Sequence, residues 1–326
     1  MNSWILEGER KITAVNEPDE VIPAGHAKVK IIRAGIDNKD LYNYGRKNRT
    51  IYDYASKIIP CSSAVGLISE CPTHEYKSGQ RVLLSSLPKM KGETCYDKGY
   101  LRDYATVPFN NIYDVPDSIE DNALVFIDTI ATACNLMERL ALQKTQVALL
   151  SGVSVTNVIL AQLVRYHQAL PIIIDKSEER LAFAQEFGID MVIDSSSENV
   201  EYMVKSFTSG KMASALIIDA DISENIDAST RCLSRGGKIA LINANSDTKY
   251  HKFDLINILE KELTIFGVKN GIGKVSMAIN LLATGKVKVS DLIKETVGFA
   301  DAPDTIGKLY DAQASILKKT IIKCNS

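Results

Sequence analysis

The chain has 326 residues, of which 45% are hydrophobic, enough for one large or two medium-sized domains with buried cores. Its 38 lysines and arginines nearly balance 40 aspartates and glutamates, so the net charge of -2 argues against nucleic acid or an anionic membrane as a partner. Because the sequence contains neither a run of 18 apolar residues nor a signal-peptide pattern at its start, we expect a cytoplasmic protein without a membrane partner.

Six cysteines are scattered along the chain without the dense spacing of a disulfide framework, so reduced thiols are expected. One alternative is a metal site that combines Cys71 and His74 with Cys61 and Cys95. No second closely spaced ligand pair accompanies these residues, and the pattern therefore favours cysteines without a metal.

The first half of the chain, to about residue 118, has the pattern of short strands separated by turns, for example at 26–32 and 80–84. From about residue 120, apolar strand segments alternate with helical segments, which is typical of a parallel sheet covered on both faces. The predicted strands of this second part are 147–150, 171–174, 191–193, 215–218, 238–242 and 263–267. A last strand at 319–323 is expected to rejoin the first half.

The turn after the first parallel strand is the predicted cofactor site, because dinucleotides bind across the carboxyl ends of such strands with pyrophosphate at a helix N-terminus. Of the G-x-G-x-x-G pattern only Gly152 is kept, and Ser154 and Asn157 stand at the other two glycine positions. Asp175 ends the next strand, near the spacing of about 20 residues expected for the acid that binds the ribose hydroxyls. The negative charge of Asp175 favours NAD(H) over NADP(H), although the adjacent Lys176 leaves NADP(H) open. The alternative for Asp175 is a helix cap or a solvated acid.

Several segments carry a family resemblance. They are Ala34-Gly35-Ile36 with Asp40-Leu41, then 65–68, 99–108, 175–181, 236–239 and 261–271. Together they resemble the medium-chain dehydrogenase/reductase family, most closely its polyol, sorbitol and threonine dehydrogenase branch, over essentially the whole chain.

The resemblance implies an α/β fold in three parts. A mainly β GroES-like catalytic domain is expected at 1–118, a Rossmann domain with a doubly wound parallel sheet at 119–266, and a return to the catalytic domain at 267–326. It further implies an active site in the cleft between the domains and a homodimer or homotetramer. By the same resemblance, the cofactor is lined by Val155, Ala220, Asn243 and Asn270, which are otherwise ordinary loop or helix-start residues.

The family's zinc ligands are the main departure. The resemblance puts the catalytic ligands, a Cys, a His and a third Cys, Glu or Asp, on Asp37, Ser62 and, roughly, Asp128. Since a hydroxyl is a poor zinc ligand beside imidazole or thiolate, the sequence predicts that no zinc is bound. The next residue, a Glu in the family, is Ser63, and the lobe for the structural zinc keeps only Cys95.

Carbonyl reduction without zinc needs another positive or acidic group to stabilise the developing alkoxide. Lys39 stands where the family has a Ser or Thr that relays the substrate's proton. We hypothesise that the Lys39 ammonium, held by Asp37 or Asp40, polarises the substrate oxygen, and that Tyr42 or Tyr44 donates the proton. The alternative is a salt bridge between Lys39 and Asp37 that fills the vacated metal site without redox chemistry.

Three functions follow from these features. The first is a zinc-independent, NAD(H)-dependent alcohol or carbonyl oxidoreductase that acts on a small molecule of the polyol or sugar type. The second is an NADPH-dependent quinone or enoyl reductase, which also needs no metal. The third is a catalytically silent binding protein that retains the fold.

Overall fold

The computed structural model describes residues 1–18, 21–45, 58–90, 92–93, 95–96, 98–220, 226–243, 253–312 and 317–325. The strands are β1 (Asn2–Gly8), β2 (Lys11–Asn16), β3 (His26–Gly35), β4 (Ser63–Glu70), β5 (Arg81–Ser85), β6 (Tyr104–Pro108), β7 (Ile112–Asp114), β8 (Val147–Ser151), β9 (Leu170–Asp175), β10 (Val192–Asp194), β11 (Ala213–Asp219), β12 (Leu233–Ile242), β13 (Thr264–Gly267), β14 (Ile293–Gly298) and β15 (Lys319–Lys323). The helices are α1 (Asn38–Gly45), α2 (Asp121–Leu124), α3 (Ile127–Leu140), α4 (Val155–Tyr166), α5 (Glu178–Glu186), α6 (Val200–Phe207), α7 (Ile226–Arg231), α8 (Leu255–Glu260), α9 (Val275–Ala283) and α10 (Ala302–Asp311).

The chain divides into two compact units. Unit 1 comprises Met1–Ala131 and Gly271–Ser326, and unit 2 comprises Thr132–Asn270. The first division falls inside α3, further along the chain than the boundary at 118/119 that the sequence suggests. Within the described ranges, no helix is both long enough and apolar enough to cross a bilayer.

Unit 2 is built on a six-stranded parallel sheet in the order β10-β9-β8-β11-β12-β13. β8 and β11 are buried along almost their whole length, which explains why their sequences are continuous apolar runs rather than alternating ones. The strand order reverses between β8 and β11, and the crevice at such a reversal is where ligands bind in open α/β sheets. The predicted doubly wound sheet is confirmed.

Unit 1 is mainly β. Its larger sheet has the order β14-β15-β3-β4-β5-β7, with β6 also paired to β3, and β1 pairs with β2 in a separate hairpin. β3 alternates buried and half-buried residues over its first six positions, the pattern of a strand with one face on a core. β15 pairs antiparallel with β3, so the last strand rejoins the first half of the chain as the sequence predicts.

Candidate active site and cofactor site

Asp37 lies in unit 1 between the end of β3 and the start of α1. The Ser62 hydroxyl donates a hydrogen bond to Asp37 Oδ2 at 3.0 Å, and Asp37 Oδ1 forms an ion pair with the Lys319 ammonium. The Asp37 side chain is 21% exposed, so this carboxylate is accessible from solvent. The structure thus brings Asp37 and Ser62 together, and it adds a cation that the sequence did not suggest.

Lys319 is the first residue of β15, which pairs antiparallel with the end of β3, and the Ile36 backbone N–H donates to the Thr320 carbonyl oxygen at 3.1 Å just beyond the paired strands. This pairing brings the start of β15 close to Asp37. The Lys319 side chain is only 3% exposed. The ammonium also donates to the Val125 carbonyl oxygen at 3.1 Å and lies 4.9 Å from the centre of the Phe126 ring. A lysine this deeply buried requires partners of this kind, because burying an unpaired charge is costly.

Asp128, in the first turn of α3, is the third residue of the cluster. Ser85 donates to one of its carboxylate oxygens and Ser86 to the other at 2.9 Å. Burial raises the pKa of Asp128 to about 6, and the Asp37 charge adds to this, whereas the two serine hydrogen bonds and Lys319 oppose it. The structure therefore gathers Asp37, Asp128 and Lys319 into one electrostatically coupled group.

Asp40 is buried in the first turn of α1 and organises the backbone around the cluster. Its carboxylate accepts hydrogen bonds from the backbone N–H groups of Asp37 at 2.8 Å and Cys61 at 3.0 Å. Burial and the Asp37 charge raise the pKa of Asp40 to about 6, although both backbone bonds lower it. Cys61, the residue before Ser62, has a φ of 70° in the left-handed region, and the hydrogen bond from its N–H to Asp40 stabilises this backbone conformation.

The structure corrects the partner predicted for Asp37, which pairs with Lys319 rather than with Lys39. Lys39 is exposed on α1 and, among the described residues, forms no ion pair or hydrogen bond. The Tyr44 ring packs edge-on against Tyr310, with 5.5 Å between ring centres. Catalytic roles for Lys39 and Tyr44 remain predictions.

The predicted cofactor turn lies in unit 2 at the end of β8. Gly152 has a φ of 87°, which favours glycine, and Val155 begins α4. The Ser154 hydroxyl caps this helix by accepting a hydrogen bond from the Asn157 backbone N–H, and it donates to Asp219 Oδ2 at 3.0 Å. Since Asp219 ends β11, this bond crosses the strand-order reversal, at the helix N-terminus where pyrophosphate binds in such folds.

Asp175 ends β9 beside this turn and is 8% exposed. Its carboxylate accepts hydrogen bonds from the Val153 backbone N–H at 2.8 Å and the Ser177 backbone N–H at 2.9 Å. The cap of α5 is Ser177, so Asp175 is not a helix cap. The Arg180 guanidinium lies 4.0 Å from Asp175, and Lys176 is exposed next to it.

The remaining predicted cofactor residues follow three successive strands of the same sheet. Ala220 follows β11, and Asn243 follows β12 and donates to Asp219 Oδ2 at 3.0 Å. Asn270, after β13, uses its carbonyl oxygen to accept from the Asn135 side chain at 2.7 Å. Asn243 and Ser154 thus both donate a hydrogen bond to the Asp219 carboxylate.

Two residues of these sites escaped the sequence reasoning. Asp219 has a usable signal, because it ends an apolar strand just as Asp175 does. The sequence signal for Lys319 is weak, because it is only a single charged residue at the start of an apolar strand. That Lys319 lies near Asp37 becomes evident only from the pairing of β15 with β3.

Two family models match the chain. The alcohol dehydrogenase GroES-like domain matches residues 23–117, and the zinc-binding dehydrogenase family matches residues 158–284. The chain belongs to the medium-chain dehydrogenase/reductase family. Within it the chain is of the zinc-type alcohol dehydrogenase-like kind, and the resemblance seen in the sequence is confirmed.

Three relatives show how similar the sequence is to other members of the family. It is 26% identical over 220 residues to an uncharacterised zinc-type alcohol dehydrogenase-like protein of Haemophilus influenzae, a match that covers 68% of this chain but only 64% of that protein. It is 25% identical over 342 residues to the starvation-sensing protein RspB of Escherichia coli, with 98% of both chains covered. It is 24% identical over 349 residues to D-xylulose reductase A of Aspergillus oryzae, covering 98% and 96%.

Solved structures support the fold. The crystal structure of E. coli RspB complexed with NADH has a TM-score of 0.84 and 21% identity, with 99% of both chains covered. A zinc-binding dehydrogenase from Sinorhizobium meliloti bound to NADP has a TM-score of 0.83 and 18% identity, again covering 99% of both chains. These two dehydrogenases bind different nicotinamide cofactors.

The residues of unit 1 do not fit the zinc that the family name implies. Asp37 is already paired with an ammonium, the Ser62 hydroxyl donates to it, and both oxygens of Asp128 accept from serines. No group of three or more His, Cys, Asp or Glu side chains able to hold a metal ion occurs in the part of the chain that the structure describes. A metal ion bound by Asp37 would lie beside the Lys319 ammonium and be repelled by it.

The residues of unit 2 do fit a nicotinamide dinucleotide. The Gly152 turn, the start of α4 and the Asp175 carboxylate lie at the carboxyl edge of β8 and β9. Each carboxylate oxygen of Asp175 has a second lone pair beyond the one used by a backbone N–H, so it can still accept from a ribose hydroxyl.

Proposed function

We propose that this protein is an oxidoreductase that transfers a hydride between NAD(H) and an alcohol or carbonyl substrate of the polyol or sugar type, without zinc. The observation that carries the proposal is the Asp175 carboxylate beside the Gly152 turn, at the edge of the sheet where dinucleotides bind. The relatedness to D-xylulose reductase A and to RspB, whose structure holds NADH, supports the substrate class and the cofactor.

The unit 1 cluster is suited to move the substrate's proton. NAD⁺, when bound, supplies the acceptor for the hydride that leaves the alcohol carbon. Ser62 donates its own proton to Asp37, which leaves the lone pairs of Ser62 Oγ free to accept the alcohol O–H. As the alcohol proton passes to Ser62, the Ser62 proton passes to the Asp37 carboxylate, and carbonyl reduction uses the same path in reverse.

The charges of the cluster favour a neutral, hydroxyl-rich substrate. Asp37 forms an ion pair with Lys319, and the second carboxylate, Asp128, accepts hydrogen bonds from two serine hydroxyls. The cluster thus has two carboxylates and one ammonium. A substrate carboxylate or phosphate would meet repulsion from the excess negative charge, whereas polyol hydroxyls can donate to it.

The preference for NAD(H) also rests on Asp175, because a carboxylate there repels the 2′-phosphate of NADP(H). Arg180 and Lys176 beside it are the groups that would accommodate such a phosphate. If Arg180 and Lys176 outweigh the repulsion by Asp175 and bind the 2′-phosphate, the protein is better described as an NADPH-dependent quinone or enoyl reductase.

Titration of the purified protein with NADH and NADPH, followed by nicotinamide fluorescence, tests the proposal. We expect NADH to bind more tightly, and Asp175→Asn to weaken its binding by about tenfold or more because a charge-assisted hydrogen bond is lost. Glu179→Gln, which removes an exposed carboxylate on α5, is the matched control. Tighter NADPH binding would favour the quinone or enoyl reductase, and binding of neither would indicate a catalytically silent protein.

Turnover on a panel of polyols and ketoses tests the chemistry and the metal separately. We expect polyol-dependent NADH formation that survives prolonged dialysis against a chelator. Activity that disappears on dialysis and returns with added zinc would contradict zinc independence.

We further propose a homodimer, with a tetramer as the alternative. Leu255, Ile256 and Leu259 on α8 are 75%, 68% and 78% exposed, an apolar surface that association would cover. β13 is one of the two edge strands of the unit 2 sheet as far as the structure describes it, and sheet edges are common sites of strand addition. A cytoplasmic location remains an expectation from the sequence.

A further inference from the structure

We propose that Asp219 is a positioning residue of the cofactor turn, 152–157. Its carboxylate holds the Ser154 hydroxyl inside unit 2, away from the place that the pyrophosphate of a dinucleotide takes. A turn that keeps only one of the three pattern glycines can therefore still admit the cofactor. The hydrogen bond belongs to the geometry of unit 2, and only its effect on cofactor binding rests on the proposed function.

Ser154 stands at the second glycine position of the pattern, where the lack of a side chain lets the backbone approach the pyrophosphate. A side chain at this position must therefore point away from the ligand. The Ser154 hydroxyl accepts from the Asn157 backbone N–H at 3.2 Å and donates to Asp219 Oδ2 at 3.0 Å, and Ser154 is only 2% exposed. The proton of this hydroxyl is thus used inside the protein.

Asn157, at the third glycine position, is fully buried and is also turned toward the protein. Its amide donates to the carbonyl oxygens of Ser151 at 3.2 Å and Gly152 at 2.8 Å. Throughout the described ranges, the backbone N–H groups of Val155 and Thr156 meet no protein acceptor, as is usual in the first turn of a helix. These two donors stay available to a pyrophosphate.

Asp219 reaches the turn from the other side of the strand-order reversal. It ends β11, is 1% exposed, and accepts from the Asn243 side chain at the same Oδ2 that accepts from Ser154. The parallel register sets Ile218 beside Ser151 of β8, so the next residue of β11 lies at the start of the turn. Because a carboxylate only accepts hydrogen bonds, Ser154 must be the donor, and this defines the direction of its O–H bond.

This arrangement makes the effect of Asp219 depend on the residue at position 154. Without Asp219, the Ser154 hydroxyl loses its acceptor and can rotate into another staggered position. With glycine at position 154 there is no hydroxyl to hold, and glycine caps a helix almost as well as serine. A residue that merely stabilised the fold of unit 2 would have the same effect in both backgrounds.

A double-mutant cycle on NADH affinity tests the inference. The Kd from nicotinamide fluorescence is compared between the wild type and Asp219→Ala, and between Ser154→Gly and Ser154→Gly/Asp219→Ala. We expect the loss of Asp219 to weaken binding about tenfold or more in the first pair and less than about threefold in the second. Asp190→Ala, which removes an exposed carboxylate of unit 2, is the matched control and should change the affinity in neither background.

Amide hydrogen exchange, followed by mass spectrometry, tests the same contact without a cofactor. The Asn157 N–H is bonded to the Ser154 hydroxyl, so its exchange reports whether that hydroxyl is held in place. We expect Asp219→Ala to speed exchange in the segment 152–158 about tenfold or more, but less than about threefold in the Ser154→Gly background. Circular dichroism verifies that each variant is folded. If Asp219→Ala is not, Asp219→Val, which fills more of the vacated volume, gives the same comparison.

Equal losses of NADH affinity in the two backgrounds would overturn the inference, and so would equal changes in hydrogen exchange. A wild type that binds neither NADH nor NADPH would contradict the proposed function, and with it the effect of Asp219 on the cofactor. The exchange measurement would then still decide whether Asp219 holds the Ser154 hydroxyl, so the two failures are distinguishable.

Discussion

The raised pKa of Asp128 predicts a measurable dependence of stability on pH. Burial raises this pKa from 3.8 to about 6, so the folded carboxyl keeps its proton up to about pH 6 while the unfolded one loses it near 3.8. Between these values the unfolded state ionises first, and the free energy of unfolding therefore falls as pH rises. The difference of about two pH units corresponds to about 3 kcal/mol, and partial exposure of Asp128 reduces this to about 1–3 kcal/mol.

Asp128→Asn removes this ionisation. The Ser85 and Ser86 hydroxyls can each rotate to donate or accept, so the asparagine amide still finds partners. We expect the free energy of unfolding of the variant, measured relative to that of the wild type, to increase by about 1–3 kcal/mol as the pH rises from 4 to 7. Urea unfolding at pH 4, 5, 6 and 7, followed by Trp4 fluorescence, measures this change in unit 1.

A matched control separates this effect from general charge effects. Asp291→Asn removes an exposed carboxylate of unit 1 and should leave the difference from wild type independent of pH. Asp40, whose pKa is also raised to about 6, contributes to the pH dependence of stability in both the wild type and Asp128→Asn, so its effect cancels in the difference between them. A stability difference for Asp128→Asn that is constant to within about 0.5 kcal/mol from pH 4 to pH 7 would refute the reasoning.

Two further predictions concern stability and assembly. Gly99→Ala should lower the free energy of unfolding by more than about 3 kcal/mol, because φ is 66° and the new Cβ would collide with the Ile59 carbonyl oxygen. Gly79→Ala should lower it by about 1 kcal/mol, because φ is 80° but no atom lies near the new Cβ. Tryptophan fluorescence in urea compares the two, and equal losses would contradict the steric argument. Light scattering after gel filtration should show the proposed homodimer for the wild type and for Tyr202→Glu, on α6, but a monomer for Leu259→Glu. A dimer that persists in Leu259→Glu would exclude α8 from the interface.

The parallel sheet of unit 2 could be predicted because its signal is local. β9 and β11 are mainly apolar strands of six and seven residues, and each ends in an aspartate. Such runs separated by capped helices are typical of one architecture, and the carboxyl ends of parallel strands meet at one edge. The position of Asp175 beside the Gly152 turn follows from this rule, whereas the use of this turn by a cofactor stays a prediction.

The partner of Asp37 could not be predicted, because it depends on a contact between distant parts of the chain. Lys39 was chosen for its nearness in sequence, yet α1 carries it into solvent. Lys319 reaches Asp37 through antiparallel pairing across more than 280 residues, and periodicity within one strand says nothing about which strand it will pair with. The catalytic role of Asp37 stays a prediction, and the pairing of its carboxylate with Lys319 is an observation that the sequence did not suggest.

The ion pair between Lys319 and Asp37 makes the charge balance at Asp37 depend on how two distant segments of the chain align. Side chains alternate between the two faces of a sheet, so a slip of β15 by one residue against β3 would turn the Lys319 ammonium to the opposite face. Asp37 would then lose its cation although every residue of the sequence were unchanged.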